Sequence, residues 1–134
     1  MDSEATKLLH DLVPFAGELG FELILQTPSE VRLGAEWKPE RCTSGDTLHG
    51  GFVMSLADTA GAMVAFLNLP EGSTGTSTIE SKTNFLRGVR GGTIMAIARP
   101  LHVGRSTIVV EMDVLDEEGR RVARVTQTQS VLRP

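Results

Sequence analysis

Residues 50–69 read GGFVMSLADTAGAMVAFLNL, and the fold turns on how this stretch is read. Its apolar side chains recur on every face at helical period, which predicts a buried helix rather than a surface one. Pro70 cannot continue it, so the helix is expected to stop near Asn68. Asp58 is the only ionisable side chain in the run. Burying an unpaired carboxylate is costly, so a partner or a chemical task is expected for it. Gly50 and Gly51 open the helix and put two close-approach amides at its positive end.

Outward from this helix the periodicity changes. Upstream, Leu8, Leu9, Leu12 and Val13 recur near helical spacing over residues 4–19, with Ser3 as a cap and Pro14 as a kink or early stop. Residues 21–27 and 30–37 read as two strands around the Pro28-Ser29 turn, with Val31, Leu33, Ala35 and Trp37 alternating against polar neighbours. Residues 38–48 form a polar, irregular connection. Four more strands are expected at 76–87, 93–102, 106–116 and 120–132, with hairpin turns at Gly91-Gly92 and at Asp116–Gly119. Strands joined consecutively by short turns imply an antiparallel sheet, hence an α+β fold. An all-round apolar helix needs such a sheet curved about it.

Length and composition narrow the function classes. The 134 residues fit one domain, 1–134, and the 40% hydrophobic fraction is enough for a core. A net charge of −4 argues against nucleic-acid and anionic-membrane partners. Lys82, Arg87, Arg90, Arg99 and Arg105 nevertheless read as a local basic group, an expected anion site. Cys42 is the only cysteine, which excludes an intrachain disulfide and reads as a loop thiol rather than a nucleophile. The acidic N-terminus lacks the order of a signal peptide, and Asp58, Ser55 and Thr59 argue against a membrane span, so a cytoplasmic location is expected. Scattered His10, His49 and His102 show no metal-ligand spacing, and no metal or organic cofactor is expected.

Four short stretches in order, Leu48-His49-Gly50-Gly51, Leu56-Ala57-Asp58-Thr59-Ala60, Lys82-Thr83-Asn84-Phe85-Leu86-Arg87 and His102-Val103-Gly104-Arg105-Ser106, resemble the hotdog-fold acyl-CoA thioesterases. The similar branch holds the phenylacetate-pathway and 4-hydroxybenzoyl-CoA enzymes. Ala62, where the latter carry Thr, leans toward the phenylacetate side. The resemblance spans about residues 20–132. It implies a curved antiparallel sheet wrapped around one long buried helix. It also implies a homo-oligomer, a dimer of dimers, with active sites shared between subunits.

The resemblance also assigns roles. The Gly50 amide would polarise the thioester carbonyl, with Gly51 beside it, because helix N-terminal amides suit a developing oxyanion. Asp58 would be general base or nucleophile. It lies eight residues on, about 12 Å along the axis, and the resemblance implies that the amide and the acid of one site come from different chains. His49 would be mainly structural or help shape the carbonyl site. Thr78 would orient the attacking water, with Thr76, Ser77 and Thr83 as competing registers. Thr43 stands where relatives carry Asn or Gln, which leaves open a non-catalytic acyl-CoA binding protein. Arg105 and Arg87 would grip CoA phosphates, with Arg90 a further candidate. A small or medium, aliphatic or aromatic acyl group would be lined by Phe52, Met54, Met63, Phe66 and Phe85. No Asp/His pair on the helix approach supports a hydratase.

Overall fold

The computed structural model describes residues 2–134. Two short helices, α1 (Ser3–Leu12) and α2 (Pro14–Glu18), precede strands β1 (Glu22–Thr27) and β2 (Glu30–Glu36). Helix α3 (Gly50–Phe66) follows, then β3 (Gly75–Phe85), β4 (Thr93–Val103), β5 (Thr107–Asp116) and β6 (Arg121–Leu132). Pro14 occupies the start of α2, where its missing N–H costs nothing, and Val13 between the helices leaves helical geometry. The cap of α1 is Asp2, whose carboxylate accepts from the Ala5 amide at 3.1 Å; Ser3, the expected cap, lies one residue inside the helix. The polar connection before α3 carries two 3₁₀ turns, Pro39–Arg41 and Ser44–Asp46.

All five strand pairings are antiparallel, in the order β1-β2-β4-β5-β6-β3. Ile108, Val110, Met112 and Val114 of β5 are buried on one face, as their alternation predicts. The Asp116–Gly119 hairpin forms, with Gly119 at φ +80°. Gly91-Gly92 is not a hairpin turn. β3 pairs with β6 at one edge of the sheet, so residues 86–92 carry the chain from that edge back to the middle, where β4 lies between β2 and β5. The Gly92 carbonyl accepts from the Trp37 amide at 2.8 Å, fastening the crossing to the end of β2.

One face of α3 (Val53, Leu56, Ala57, Ala60 and Val64) is buried against the sheet. The helix is not enclosed all round. Asp58, Thr59, Ala62, Met63 and Phe66 share the opposite side, and Phe66 is 61% exposed. Asp58, expected buried, is exposed in the chain. Its side of the helix faces a cleft walled by α1 instead of a second layer. Among the described residues, no helix is long and apolar enough to cross a membrane.

Candidate active site

Helix α3 delivers Asp58 to a floor built from β3 and β6. Thr78 Oγ1 on β3 lies 3.0 Å from Asp58 Oδ1, and Gln127 Nε2 on β6 lies 2.5 Å from the same oxygen. Gln129 Nε2 donates to Thr78 Oγ1 at 2.6 Å and to Gln127 Oε1 at 2.9 Å. Thr76 Oγ1 lies 2.9 Å from both Gln129 Oε1 and the Ser130 carbonyl, sharing its proton between them. Both glutamines are fully buried. Thr78 pairs with Gln129 in register, and the strand bulges at Ile79 immediately beyond it. Asp58 Oδ2 has no hydrogen-bond partner among the described residues.

Asp58 and Thr78 line a cleft of about 640 Å³ whose walls are mostly apolar. Leu8, Leu12 and Phe15 come from the N-terminal helices, Met63 and Phe66 from α3. The start of α3 opens elsewhere. Gly50 lines a separate cavity of about 380 Å³ with Leu48, Phe85, Leu86 and Arg87. His49 caps the helix: its Nδ1 accepts from the Gly51 amide at 2.8 Å. The Gly51 donor is therefore occupied. The Gly50 amide, at the first helical position, has no acceptor among the described residues and is the donor left for a ligand. A Cβ at Gly50 would stand 3.1 Å from the Phe85 ring, so the glycine keeps this amide accessible beside an aromatic wall. The helix end is fixed from behind, where the His49 amide donates to the Arg41 carbonyl and the Arg41 guanidinium sits 5.2 Å from the Phe52 ring centroid.

The chain thus holds a carboxylate with one oxygen tied and one open, and a free helix-start amide, in two different cavities. A family model for the thioesterase superfamily matches residues 45–123, the stretch that carries α3, β3, β4 and β5. The chain belongs to the thioesterase superfamily. It is similar to the proofreading thioesterase EntH of Cronobacter sakazakii, 33% identical over 85 residues that cover 63% of this chain and 61% of that protein. The solved structure of thioesterase HI1161 from Haemophilus influenzae superposes with a TM-score of 0.88 at 27% identity, covering 96% of this chain and 90% of that one. A mutant of the phenylacetic acid degradation protein PaaI from Thermus thermophilus gives 0.81 at 27% identity, over 89% and 99% of the two chains. The fold is the hotdog fold of these neighbours, and the chemistry is thioester hydrolysis.

Other residues expected in this thioesterase's site fall in several places. Phe85 and Arg87 reach the Gly50 cavity, and Met63 and Phe66 line the Asp58 cleft. Phe52 does not line the Asp58 cleft: it is a core residue, in edge contact with Phe21 at 5.7 Å. Met54 lines neither cavity. Thr43 is exposed and outside both, its amide tied to the Thr47 carbonyl. Arg105 lies in the exposed β4–β5 turn, also outside both. The basic group does not assemble: Arg99 pairs with Glu30 at 2.7 Å, while Arg90 donates to Thr47. Burial, then the Asp46 and Glu40 carboxylates, push the Cys42 thiol up from its ordinary value, against a role as nucleophile.

Two groups escaped the sequence reading. Gln127 and Gln129 fall in phase with buried Val125 and Val131 on β6. That phase, with polar residues where the strand turns inward, was the available signal. The N-terminal wall of the cleft was the other: Leu9 of α1 is buried while Leu8 and Leu12 are 59% and 74% exposed, so the helix is apolar on a second side.

Proposed function

We propose that this thioesterase hydrolyses a small or medium acyl-CoA to the free acid and CoA. The observation that carries the reading is the half-tied carboxylate. Gln127 and Thr78 occupy Oδ1, and Oδ2 is left for water or for a carbonyl carbon at the edge of an apolar cleft. The acyl group occupies that cleft between α1 and α3. The cleft walls are aliphatic and aromatic without a charged group other than Asp58, which suits an apolar chain or an unsubstituted ring.

Asp58 acts through Oδ2, either taking a proton from water as it attacks the thioester carbon or attacking that carbon itself. Thr78 orients the water. The developing oxyanion sits on a Gly50 amide. The carbon–sulfur bond breaks; in the general-base variant the proton taken up by Asp58 passes to the departing CoA sulfur, and in the direct-attack variant CoA leaves as the thiolate and the Asp58 acyl anhydride remains. In the direct-attack variant, water then hydrolyses the mixed anhydride. No step calls for a metal or an organic cofactor.

Gly50 and Asp58 of one chain line different cavities, and the two residues stand about 12 Å apart along the axis of α3. A complete centre therefore takes its amide from one chain and its acid from another. The free edge of β3, with Ile79 62% and Phe85 52% exposed, is the surface suited to that pairing, in a dimer of dimers. Arg87, lining the Gly50 cavity, serves the CoA phosphates; Arg105, outside both cavities, is the weaker candidate. The purified protein should release free thiol from aliphatic or phenyl-bearing CoA esters in a steady-state panel. Absence of thiol release from every ester in a broad panel would overturn the reading.

A further inference from the structure

The inward face of β6 places two glutamines where the strand otherwise buries valines. Burying amides costs free energy unless every polar atom is paired, and apolar residues of the same shape would fill the space at no such cost. Here each side-chain nitrogen and oxygen of Gln127 and Gln129 has a partner. The orientation of both amides follows from those partners. A carboxylate oxygen only accepts, so Gln127 turns its Nε2 to Asp58 and its Oε1 to Gln129. Gln129 must then present its Nε2 both to Gln127 and to Thr78, and its Oε1 to Thr76. Two donor chains result, Thr76 to Gln129 to Thr78 and Gln129 to Gln127. Both end on Asp58 Oδ1.

The helix side of this arrangement is equally specific. Gly61 lies three residues after Asp58, on the turn above it. A Cβ there would collide with the Gln127 amide oxygen and stand 3.0 Å from the Met112 methyl. Gly61 is helical with an ordinary backbone, so conformational freedom does not explain a glycine at this helix-interior position, where it is destabilising. Room for Gln127 does.

We propose that Gln127 is a positioning residue for Asp58, and that Gly61 is the gap in α3 that lets it reach. By holding Oδ1, Gln127 fixes the carboxylate rotamer and presents Oδ2 to the substrate. This rests on the hydrolytic reading of Asp58 above. It adds a requirement which that reading does not contain: an intact Asp58 without Gln127 is misaligned.

The test is a double-mutant cycle on kcat with a good acyl-CoA substrate. Gln127→Ala should lower kcat roughly ten- to a hundredfold with KM little changed, the scale expected for misplacing a reacting group by about 1 Å. Gly61→Ala should do the same in the wild-type background. In the Gln127→Ala background, Gly61→Ala should cost no more than about twofold further, because the group it displaces is already gone. Gln127→Leu, which refills the volume, provides a second variant if Gln127→Ala does not fold, and should lose the same activity. Wild-type kcat in a folded Gln127 variant, or an equal Gly61→Ala loss in both backgrounds, would overturn the proposal. Asp58→Asn separates the two levels. An inactive Asp58→Asn beside a fully active Gln127→Ala removes the positioning role alone, whereas a fully active Asp58→Asn removes the hydrolytic reading and this proposal with it.

Discussion

Replacing Asp58 by Ala and by Asn separates what the carboxylate does for the fold from what it does for chemistry. Asp58→Ala deletes the acceptor on which the fully buried Gln127 amide rests. A buried donor left without a partner costs about 1–3 kcal/mol. For a chain of this length that lowers the midpoint of thermal unfolding by roughly 3–10 °C. Asp58→Asn keeps an oxygen where Oδ1 stands, so the bonds from Gln127 and Thr78 survive, each weakened from charged to neutral. Its stability cost should stay below about 1 kcal/mol. Both variants lose the base or nucleophile, and both should lose roughly 10²–10⁴ in kcat. Thermal unfolding and steady-state thiol release on the same three preparations read the two effects. Equal midpoints for Asp58→Ala and wild type would refute the claim that Gln127 rests on the carboxylate. Undiminished turnover in Asp58→Asn would refute the role of Asp58.

Gly50→Pro removes one N–H from the start of α3 at a position where proline is favoured, His49 already has the extended geometry (φ −62°, ψ 133°) that a following proline requires, and the Phe85 ring, 3.1 Å from the new Cβ, must give by a few tenths of an ångström. It should lower kcat/KM by about 10²–10³ with the fold kept, as measured by far-UV circular dichroism and thiol release; unchanged kcat/KM would clear the Gly50 amide of any part in catalysis. Burial opposes ionisation of Glu30, but the Arg32 and Arg99 guanidinium groups outweigh it and hold its carboxyl below the usual range. In the same way, burial of Asp116 is outweighed by hydrogen bonds from Arg120. Carboxyls lowered on folding stabilise the protein above their unfolded-state values, and that stability is lost as pH falls through the lower, folded-state values. The unfolding midpoint should therefore fall on acidification below about pH 5, and Glu30→Gln should destabilise at neutral pH and lose its effect in acid.

The strands were legible because half-buried strands alternate, and β5 shows this plainly in Val110, Met112 and Val114. The order of strands in the sheet was less so. Gly91-Gly92 has the chemistry of a tight turn, but turn chemistry does not say which strands a connection joins, and here it serves a crossing. The reading of α3 as a buried helix holds on its sheet-facing side and departs only on the Asp58 side. An apolar composition on every face says that a helix prefers cover, not that its own chain supplies it, and the Asp58 side is left to a cleft. At the site, the amide pair and the acid stood out because glycine and a lone carboxylate are unusual within an apolar run. Thr78 is marked in the sequence only by its spacing from Asn84-Phe85-Leu86, and its bond to Asp58 distinguishes it from Ser77 and Thr83, with Thr76 one step behind on Gln129. The buried glutamines stayed hidden because polar residues on a strand read as outward-facing. Only their phase with Val125 and Val131 contradicts that.

The division of the centre between chains is most directly tested by mixing two inactive variants, Asp58→Asn and Gly50→Pro, after dissociation and reassembly. Random pairing makes half of the dimers mixed, and each mixed dimer holds one centre with both groups intact and one with neither. The mixture should recover roughly a quarter of wild-type activity. A mixture as inactive as its components, with mixed dimers demonstrated by mass spectrometry, would contradict a shared centre and place both groups in one chain.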